Sequence, residues 1–226
     1  RFKSAEESPS VKALVLRLDT GGGTVAASQE IAGMVQDFPK PVVVSMGDLT
    51  ASGGYYIASQ ADVIVAQPGT LTGSISVIWS TFNFEGLMEK IGVEMTAITA
   101  GRHKDMFLPR ALTSEERQIV QDMVDNSYDQ FVGAVASGRD MPEPAVRELA
   151  TGRLFTGKQA LELGLVDVLG GLDVAITEAE SQAGIADAEV IELTPTLFEQ
   201  LFGGPGLGGI ISLVQGNTAL EQELLF

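Results

Sequence analysis

Short apolar runs alternate with stretches of helical spacing along the first third of the chain. Residues 11–18 form a nearly continuous apolar run, and residues 24–38 repeat apolar positions at helical spacing. Val42–Met46 and Val63–Ala66 are apolar throughout, as expected of strands that helices cover on both faces. This alternation predicts an α/β fold with a mainly parallel sheet flanked by helices.

Glycine, proline and polar clusters mark the remaining boundaries. We predict a turn at Gly47–Gly54 and a strand at Glu94–Thr99. Further helices are predicted over residues 55–61, 87–91, 113–137, 142–150, 156–163 and 173–183. We expect one domain over residues 1–194, followed by a Gly-rich segment and an apolar C-terminal tail over residues 195–226.

Composition and charge narrow the possible functions. The 226 residues carry a formal net charge of −16, which argues against a nucleic-acid partner because phosphate binding needs a basic surface. The chain has no cysteine, so a cysteine nucleophile, a disulfide framework and a thiolate metal site are excluded. No apolar run reaches the roughly 18 residues of a membrane span. Because a buried strand follows a short polar start, we expect this chain to be a piece of a longer protein.

The first chemical candidate is the triplet Gly21–Gly23, which follows the first predicted strand. Three interpretations compete. It fits a weak dinucleotide-binding pattern, G-x-G-x-x-A, with Ala26 as the last position. It also suits an oxyanion hole, in which exposed N–H groups stabilise a tetrahedral intermediate. The simplest interpretation is a tight strand-to-helix turn.

The second candidate is Ser52, within Ala-Ser-Gly-Gly after the second predicted strand. A serine on a strand-to-helix turn between small residues is placed like a nucleophile, with room for substrate around its hydroxyl. The competing interpretation is an ordinary helix N-cap, a role in which serine is common.

A nucleophilic serine needs a base, and the sequence offers two neighbouring candidates. His103 is the one histidine, so a Ser-His-Asp triad would have to use it. Lys104 could act instead if its amine were buried, because loss of water favours the neutral form that accepts a proton. The competing interpretation is an ordinary solvated surface charge, which is what most lysines are.

Four segments, in this order, carry a family resemblance: residues 47–58 (GDLTASGGYYIA), 68–78 (PGTLTGSISVI), 101–106 (GRHKDM) and 152–167 (GRLFTGKQALELGLVD). Through them the chain resembles the signal peptide peptidase A family of serine-lysine peptidases, in the Clp protease/crotonase superfamily. The resemblance covers about residues 11–185. It implies a Clp protease/crotonase-like fold and a peptidase domain over residues 1–194, with N-terminal strands and any anchor lying outside this chain.

The resemblance also assigns roles. It implies Ser52 as nucleophile, Lys104 as general base, and Ser74 as a hydrogen-bond partner of the lysine amine. Gly22 and Gly23 match a glycine pair beside the active site. From these positions we expect the N–H groups of Gly23 and Gly53 to form the oxyanion hole.

The chain departs from the family pattern at two positions. Gly21 stands where the family usually has proline, and Ser76 stands where glycine is frequent. The first departure bears on the oxyanion hole, because the loop that would supply one of its donors loses a rigid residue.

Partners and location also follow from the resemblance. It implies apolar peptide substrates such as signal peptide remnants, with no cofactor and no metal. It further implies a homo-oligomer whose active sites face an enclosed space, membrane attachment through a segment absent from this chain, and an extracytoplasmic catalytic domain.

Four aromatic residues near the motifs are candidates for the substrate groove, although we expect at least two of them to pack in the core: Tyr55, Tyr56, Trp79 and Phe107. The apolar tail, with Leu220 and Phe226, is expected to dock on a neighbouring copy or in its groove.

Three other functions remain open at this point. A catalytically silent scaffolding relative would share the fold, since fold alone does not fix function. A crotonase-like acyl-CoA enzyme would share the oxyanion hole but would have no use for a serine-lysine pair. Dinucleotide binding would leave the other motifs unexplained.

Overall fold

The computed structural model describes residues 2–193 and 211–215 of the chain. It divides into two compact units. The first takes the residues up to Ser76 and those from Phe131 onward, and the second is Val77–Gln130.

The helices and the strands of the described residues are numbered separately, each in chain order. The helices are α1 (Phe2–Glu7), α2 (Val25–Gln36), α3 (Gly53–Ala58), α4 (Glu85–Lys90), α5 (Ser114–Gly138), α6 (Glu143–Leu149), α7 (Gly157–Glu162) and α8 (Leu172–Ala183). The strands are β1 (Val11–Thr20), β2 (Val42–Ala51), β3 (Val63–Ala66), β4 (Leu71–Gly73), β5 (Leu154–Thr156), β6 (Val168–Leu169), β7 (Glu189–Leu193) and β8 (Ile211–Gln215).

The described strands belong to one sheet in the first unit, with the order β5-β4-β2-β1-β8-β7. Strand β2 runs parallel to β1, β3 and β4, and β3 runs parallel to β6. The pairs β4–β5, β1–β8 and β7–β8 are antiparallel. This parallel-rich sheet with flanking helices confirms the predicted Clp protease/crotonase-like α/β fold.

The central strands are buried on both faces, which explains their uninterrupted apolar sequence. Ala13, Val15 and Val43 point to one face, where they pack with Ala175 and Ala179 of helix α8. Since successive strand residues alternate between faces, the buried residues between them point to the opposite face. Each face therefore holds a separate part of the core.

Strand β2 contains a bulge where a turn was predicted. Its register with β1 changes between the pairs Leu18–Met46 and Thr20–Thr50, so β2 carries two extra residues there. Asp19 fills the irregularity: its Oδ1 accepts from the Leu49 N–H at 3.0 Å, and a Cβ on Gly47 would stand 2.6 Å from its Cγ. The prediction of a turn over residues 47–54 was wrong because glycine and aspartate here form a bulge within a strand.

Two other local predictions have different outcomes. Glu94–Thr99 was predicted as a strand, but these residues have no strand partner and no regular structure in the second unit. Residues 211–215 of the predicted tail form strand β8, whereas Leu220, Phe226 and the rest of the tail lie outside the described residues. The domain boundary at residue 194 stays a prediction.

The residues of the 152–167 segment have structural roles. Gly157 lies against the backbone, since a Cβ there would stand 2.1 Å from the Gln67 carbonyl oxygen. Asp167 Oδ2 accepts from the Ile64 N–H at 2.7 Å, and both Asp167 oxygens accept from the guanidinium of Arg139. The segment therefore ties helix α7, and the residue that follows helix α5, to the parallel strands.

The second unit has little interior. Within Val77–Gln130 only Met106, Glu116 and Val120 are buried. Many of its large apolar side chains are exposed: Ile78, Trp79, Phe82, Phe84, Leu87, Ile91, Val93, Met95, Ile98, Phe107 and Met123. None of the helices in the described part of the chain combines the length and apolar character needed to cross a bilayer.

We expect two glycine-to-alanine substitutions to change stability in opposite directions. Gly157→Ala should destabilise the protein by roughly 1–3 kcal/mol, because its methyl group overlaps a backbone carbonyl. Gly133→Ala, inside helix α5 with open space around its Cβ, should stabilise it by about 0.5–1 kcal/mol. Urea unfolding of both variants measures the difference, and equal effects would contradict the packing described here.

Candidate active site

Ser52 occupies a strained turn at the carboxyl end of strand β2. Its backbone has φ 54° and ψ −122°, a conformation that costs a residue with a side chain about 1–3 kcal/mol. The Ser52 N–H donates to the Gly73 carbonyl at 2.9 Å and so continues the β2–β4 pairing by one residue. Such strain persists only where the surrounding structure fixes it.

The Ser52 hydroxyl does not cap the helix that follows it. Ser52 is the residue before α3, yet its side chain accepts no capping hydrogen bond. The N-cap interpretation is therefore not supported by the geometry. The side chain is half-buried, at the end of a strand and beside a turn of small residues.

The glycine triplet lies directly against this turn. Gly22 has φ +112°, and a Cβ on it would stand 2.8 Å from Ser52 Cβ and 2.9 Å from the Gly53 nitrogen. A Cβ on Gly53 would stand 3.1 Å from the Gly23 nitrogen. Only residues without side chains allow the two backbone segments to approach so closely.

Two backbone donors in this contact lack an acceptor in residues 2–193 and 211–215. Neither the Gly23 N–H nor the Gly53 N–H is hydrogen-bonded within the part of the chain that the structure describes. Gly53 is buried, and unpaired N–H groups in such positions are rare in proteins. The turn thus holds two backbone donors close to Ser52 that bond to none of the described residues.

Ser74 follows the neighbouring parallel strand β4, as Ser52 follows β2. It also has positive φ, at 51°, and its N–H donates to the Arg153 carbonyl at 2.9 Å. Its side chain is half-buried. The structure therefore brings together five residues that follow the carboxyl ends of the neighbouring strands β1, β2 and β4: Gly22, Gly23, Ser52, Gly53 and Ser74.

Two residues that support this turn were missed by sequence reasoning. Ser28 of helix α2 is 6% exposed, and its Oγ would lie 2.3 Å from a Cβ on Gly53. Thr20 Oγ1 accepts from the Gly22 N–H at 3.2 Å and so fixes the glycine loop. The only signal for Ser28 was a small polar residue on an apolar helix face, which is too common to single it out.

Lys104, the proposed base, belongs to the second unit. Its side chain is exposed, and it lies in a series of turns between Gly101 and Leu108. Its N–H donates to the Gly101 carbonyl at 3.3 Å.

The residue after Lys104 takes part in an ion-pair network. Asp105 Oδ2 lies 3.0 Å from Nη2 of Arg110, and the same guanidinium binds both carboxylate oxygens of Glu116, at 2.6 and 2.9 Å. The bonds from Arg110, with a further one from the Thr113 N–H, lower the pKa of Glu116 to about 2. The carboxylates in turn raise the pKa of Arg110. The pair of Arg110 and Glu116 is therefore ionised throughout the neutral range.

His103, the alternative base, faces the first turn of helix α5. Its Nε2 lies 3.5 Å from Oε1 of Glu115, which also pairs with Arg102. The histidine side chain is 34% exposed.

The four aromatic residues near the motifs divide into two packed and two exposed ones. Tyr55 is fully buried, and its hydroxyl donates to the Leu165 carbonyl at 3.0 Å. The ring of Tyr56 packs on Phe131, with 5.0 Å between centroids. Trp79 and Phe107 are 45% and 59% exposed, and their ring centroids lie 5.5 Å apart.

Among the described residues, no group of three or more His, Asp or Glu side chains is placed to hold a metal ion.

A comparison with known families decides the assignment. The sequence model of Peptidase family S49 matches residues 35–186, which is more than half of the chain and includes Ser52, Ser74 and Lys104. The chain belongs to peptidase family S49. It is therefore a protease, of the serine type that is usual for S49 peptidases.

Known proteins agree with the S49 assignment. "Putative protease slr0021" of Synechocystis sp. is 44% identical over 99% of this chain and 82% of its own length. "Putative signal peptide peptidase SppA" of Enterococcus faecium is 40% identical over 99% of the chain, which spans 65% of that protein. "Serine protease SPPA, chloroplastic" of Arabidopsis thaliana is 39% identical over 82% of the chain, but the match covers only 28% of its length. The S49 peptidase described here thus corresponds to a part of the last two proteins.

We expect Gly22→Ala to inactivate this S49 peptidase. Its methyl group would overlap Ser52 Cβ at 2.8 Å in a backbone conformation that alanine avoids, so the turn must move. Loss of one properly placed donor costs about 10²–10³ in kcat in other hydrolases. The assay is peptide hydrolysis, with circular dichroism to confirm folding.

Gly21→Ala is the matched control for this experiment. A Cβ on Gly21 would meet only Leu49 Cδ2 at 3.5 Å, an ordinary contact, and Gly21 has no positive φ. Wild-type hydrolysis by Gly22→Ala, or equal loss in both variants, would contradict the close approach of the two turns.

We also expect the stabilising effect of Glu116 to disappear in acid. Its pKa is depressed in the folded protein, so its contribution is complete above the ordinary carboxyl pKa of about 4.5 and is lost as the pH falls through about 2. The advantage of wild type over Glu116→Gln in urea midpoint should therefore be larger at pH 7 than at pH 3. A wild-type advantage in urea midpoint that grows on acidification would contradict this expectation. Glu115→Gln serves as the control, because Glu115 is about half exposed.

Proposed function

We propose that the protein is a serine endopeptidase that uses Ser52 as nucleophile and Lys104 as general base. The observation that carries the proposal is the strained Ser52 turn, with two N–H donors beside it that bond to none of the described residues. Glycine would adopt this φ without strain, so a serine here asks for a reason other than the turn itself. A nucleophile that must be presented beside an oxyanion hole gives a reason for it.

The reaction proceeds through an acyl-enzyme. Neutral Lys104 accepts the Ser52 proton as Oγ forms a bond to the peptide carbonyl carbon. The carbonyl oxygen becomes an oxyanion, which the N–H groups of Gly23 and Gly53 stabilise by about 3–4 kcal/mol per donor. The lysine then gives its proton to the leaving amine as the C–N bond breaks. Water hydrolyses the ester and restores Ser52.

The proposed base imposes a condition on its surroundings. Lysine accepts a proton near neutral pH only when its amine has lost most of its water. Lys104 is exposed in the single chain, so bound substrate or a neighbouring copy must cover it. The proposed homo-oligomer with enclosed sites would meet this condition, with Ser74 holding the amine by a hydrogen bond.

Apolar peptides are the proposed substrates, with signal peptide remnants as the natural source. The name of the Enterococcus relative supports this class. Of the four aromatic candidates, Trp79 and Phe107 remain available to contact such a peptide because both rings are exposed. The same function requires proximity to a membrane, so we propose an anchoring segment outside this chain and an extracytoplasmic catalytic domain formed by residues 1–194.

Three substitutions test the dyad. Ser52→Ala and Lys104→Ala should each abolish hydrolysis of an apolar fluorogenic peptide, because they remove the nucleophile and the base. His103→Ala should keep most of the activity, since its neighbour in the structure is Glu115. A fluorophosphonate should label Ser52 in the wild type. An active Lys104→Ala enzyme, or a wild type that takes no label, would refute the dyad.

A further inference from the structure

The backbone around Lys104 cannot by itself fix the direction of the lysine side chain. The segment from Gly101 to Leu108 is a series of turns outside any helix or strand. Its hydrogen bonds are single and mostly long: 3.3 Å from Lys104 to Gly101, 3.4 Å from Met106 to His103 and 3.0 Å from Leu108 to Asp105. A flexible four-carbon side chain on such a turn would sample many positions, whereas proton transfer requires one.

Side chains supply the rigidity that the backbone lacks. Asp105, adjacent to Lys104, binds Nη2 of Arg110 at 3.0 Å. The Arg110 guanidinium also forms a two-pronged pair with Glu116, a geometry that fixes orientation as well as distance. The turn is therefore linked through one planar group to helix α5.

Glu116 is firmly held at the other end of this link. It is 3% exposed, and its Oε2 accepts from the Thr113 N–H at 2.8 Å. In return, the Glu116 N–H donates to Thr113 Oγ1 at 3.2 Å, which completes a capping box at the start of a 25-residue helix. A buried, fully bonded carboxylate at a helix start is a stiff attachment point.

A second ion pair on the same turn differs in burial. Arg102 pairs with Glu115, but their side chains are 77% and 48% exposed. Exposed pairs of this kind contribute little, because water competes for both charges. The two neighbouring glutamates therefore provide a matched comparison.

We propose that Asp105, Arg110 and Glu116 form a positioning clamp for Lys104. The clamp fixes the turn so that the lysine amine meets the nucleophile in one orientation. This inference rests on the proposed role of Lys104 as base. None of the three residues touches substrate in this proposal; each acts through the turn.

Arg110→Lys tests the clamp without changing the net charge. Lysine keeps the positive charge but loses the two-pronged fork, so the turn loosens. We expect kcat to fall roughly 10- to 100-fold, as for small misplacements of catalytic groups, with KM changed less than about twofold. The acidic limb of the kcat/KM profile should move to higher pH, because a looser amine regains water.

Arg102→Lys is the matched control, with the same substitution in the exposed pair. We expect wild-type kcat, KM and pH profile from it. If Arg110→Lys gives the same kinetics as Arg102→Lys, the clamp is overturned. A lower melting temperature of Arg110→Lys with unchanged kcat and pH profile would also overturn it, because a purely structural pair has that effect.

Asp105→Asn decides the matter should Arg110→Lys fail to fold. Its side chain is 31% exposed, and the substitution leaves the Arg110–Glu116 pair intact while weakening the link to the turn. A reduced kcat supports the clamp, and a wild-type kcat overturns it. Lys104→Ala in the same assay separates the two proposals: activity there refutes the base, whereas an inactive Lys104→Ala beside a normal Asp105→Asn refutes only the clamp.

Discussion

Strand β2 is hydrogen-bonded along most of its length, but to different neighbours at its two ends. Val43–Ser45 pairs with β3, and Leu49–Ala51 pairs with β4, while β1 lies on its other side. The bulge that Asp19 stabilises lies between these two halves. Beyond the bulge the strand pairs with β4 instead of β3 and ends at Ala51, directly before Ser52. The strained turn, the glycine contacts and the position of Ser74 all depend on this change of partner.

Close approach of two backbones is the second constraint. Gly22 and Gly53 leave no room for a side chain, and Ser28 fills the space behind Gly53. Small residues are therefore needed here for packing, apart from any role in the proposed chemistry. The same contact leaves the Gly23 and Gly53 N–H groups without acceptors among the described residues. Packing and the proposed stabilisation of an oxyanion thus have one structural origin.

The sequence predicted the elements whose pattern reflects local burial. Strands β1, β2 and β3 are apolar because both faces are covered, and the helices after residue 113 are recognisable from their starts and ends. The bulge in β2 was missed because its decisive bond comes from Asp19, on another strand. Glu94–Thr99 resembles a strand locally, but a strand needs a partner, which no local pattern can reveal.

In the candidate site, too, residues in local motifs were predictable from the sequence, whereas residues that act through distant contacts were not. Ser52 and the glycines were found from motifs within single short segments, whereas Lys104 was one of two candidate bases until the family resemblance favoured it over His103. Ser28 and Arg110 could not be singled out, because their importance lies in contacts between segments far apart or between similar neighbouring charges. Glu116 stands three residues after Thr113, the capping-box spacing that separates it from Glu115 in the sequence, but its burial and its pair with Arg110 are visible only in the structure.

Strand β8 has a practical consequence for anyone who shortens this protein. Its backbone lies between β1 and β7, so residues 211–215 are an inner part of the sheet although they follow the Gly-rich segment. A version that stops after Leu193 would strip β1 of one neighbour and detach β7 from the rest of the sheet. The unpaired backbone groups of β1 and β7 could then bond to strands of other molecules. Such a version is therefore prone to aggregate even with every residue of the candidate site in place.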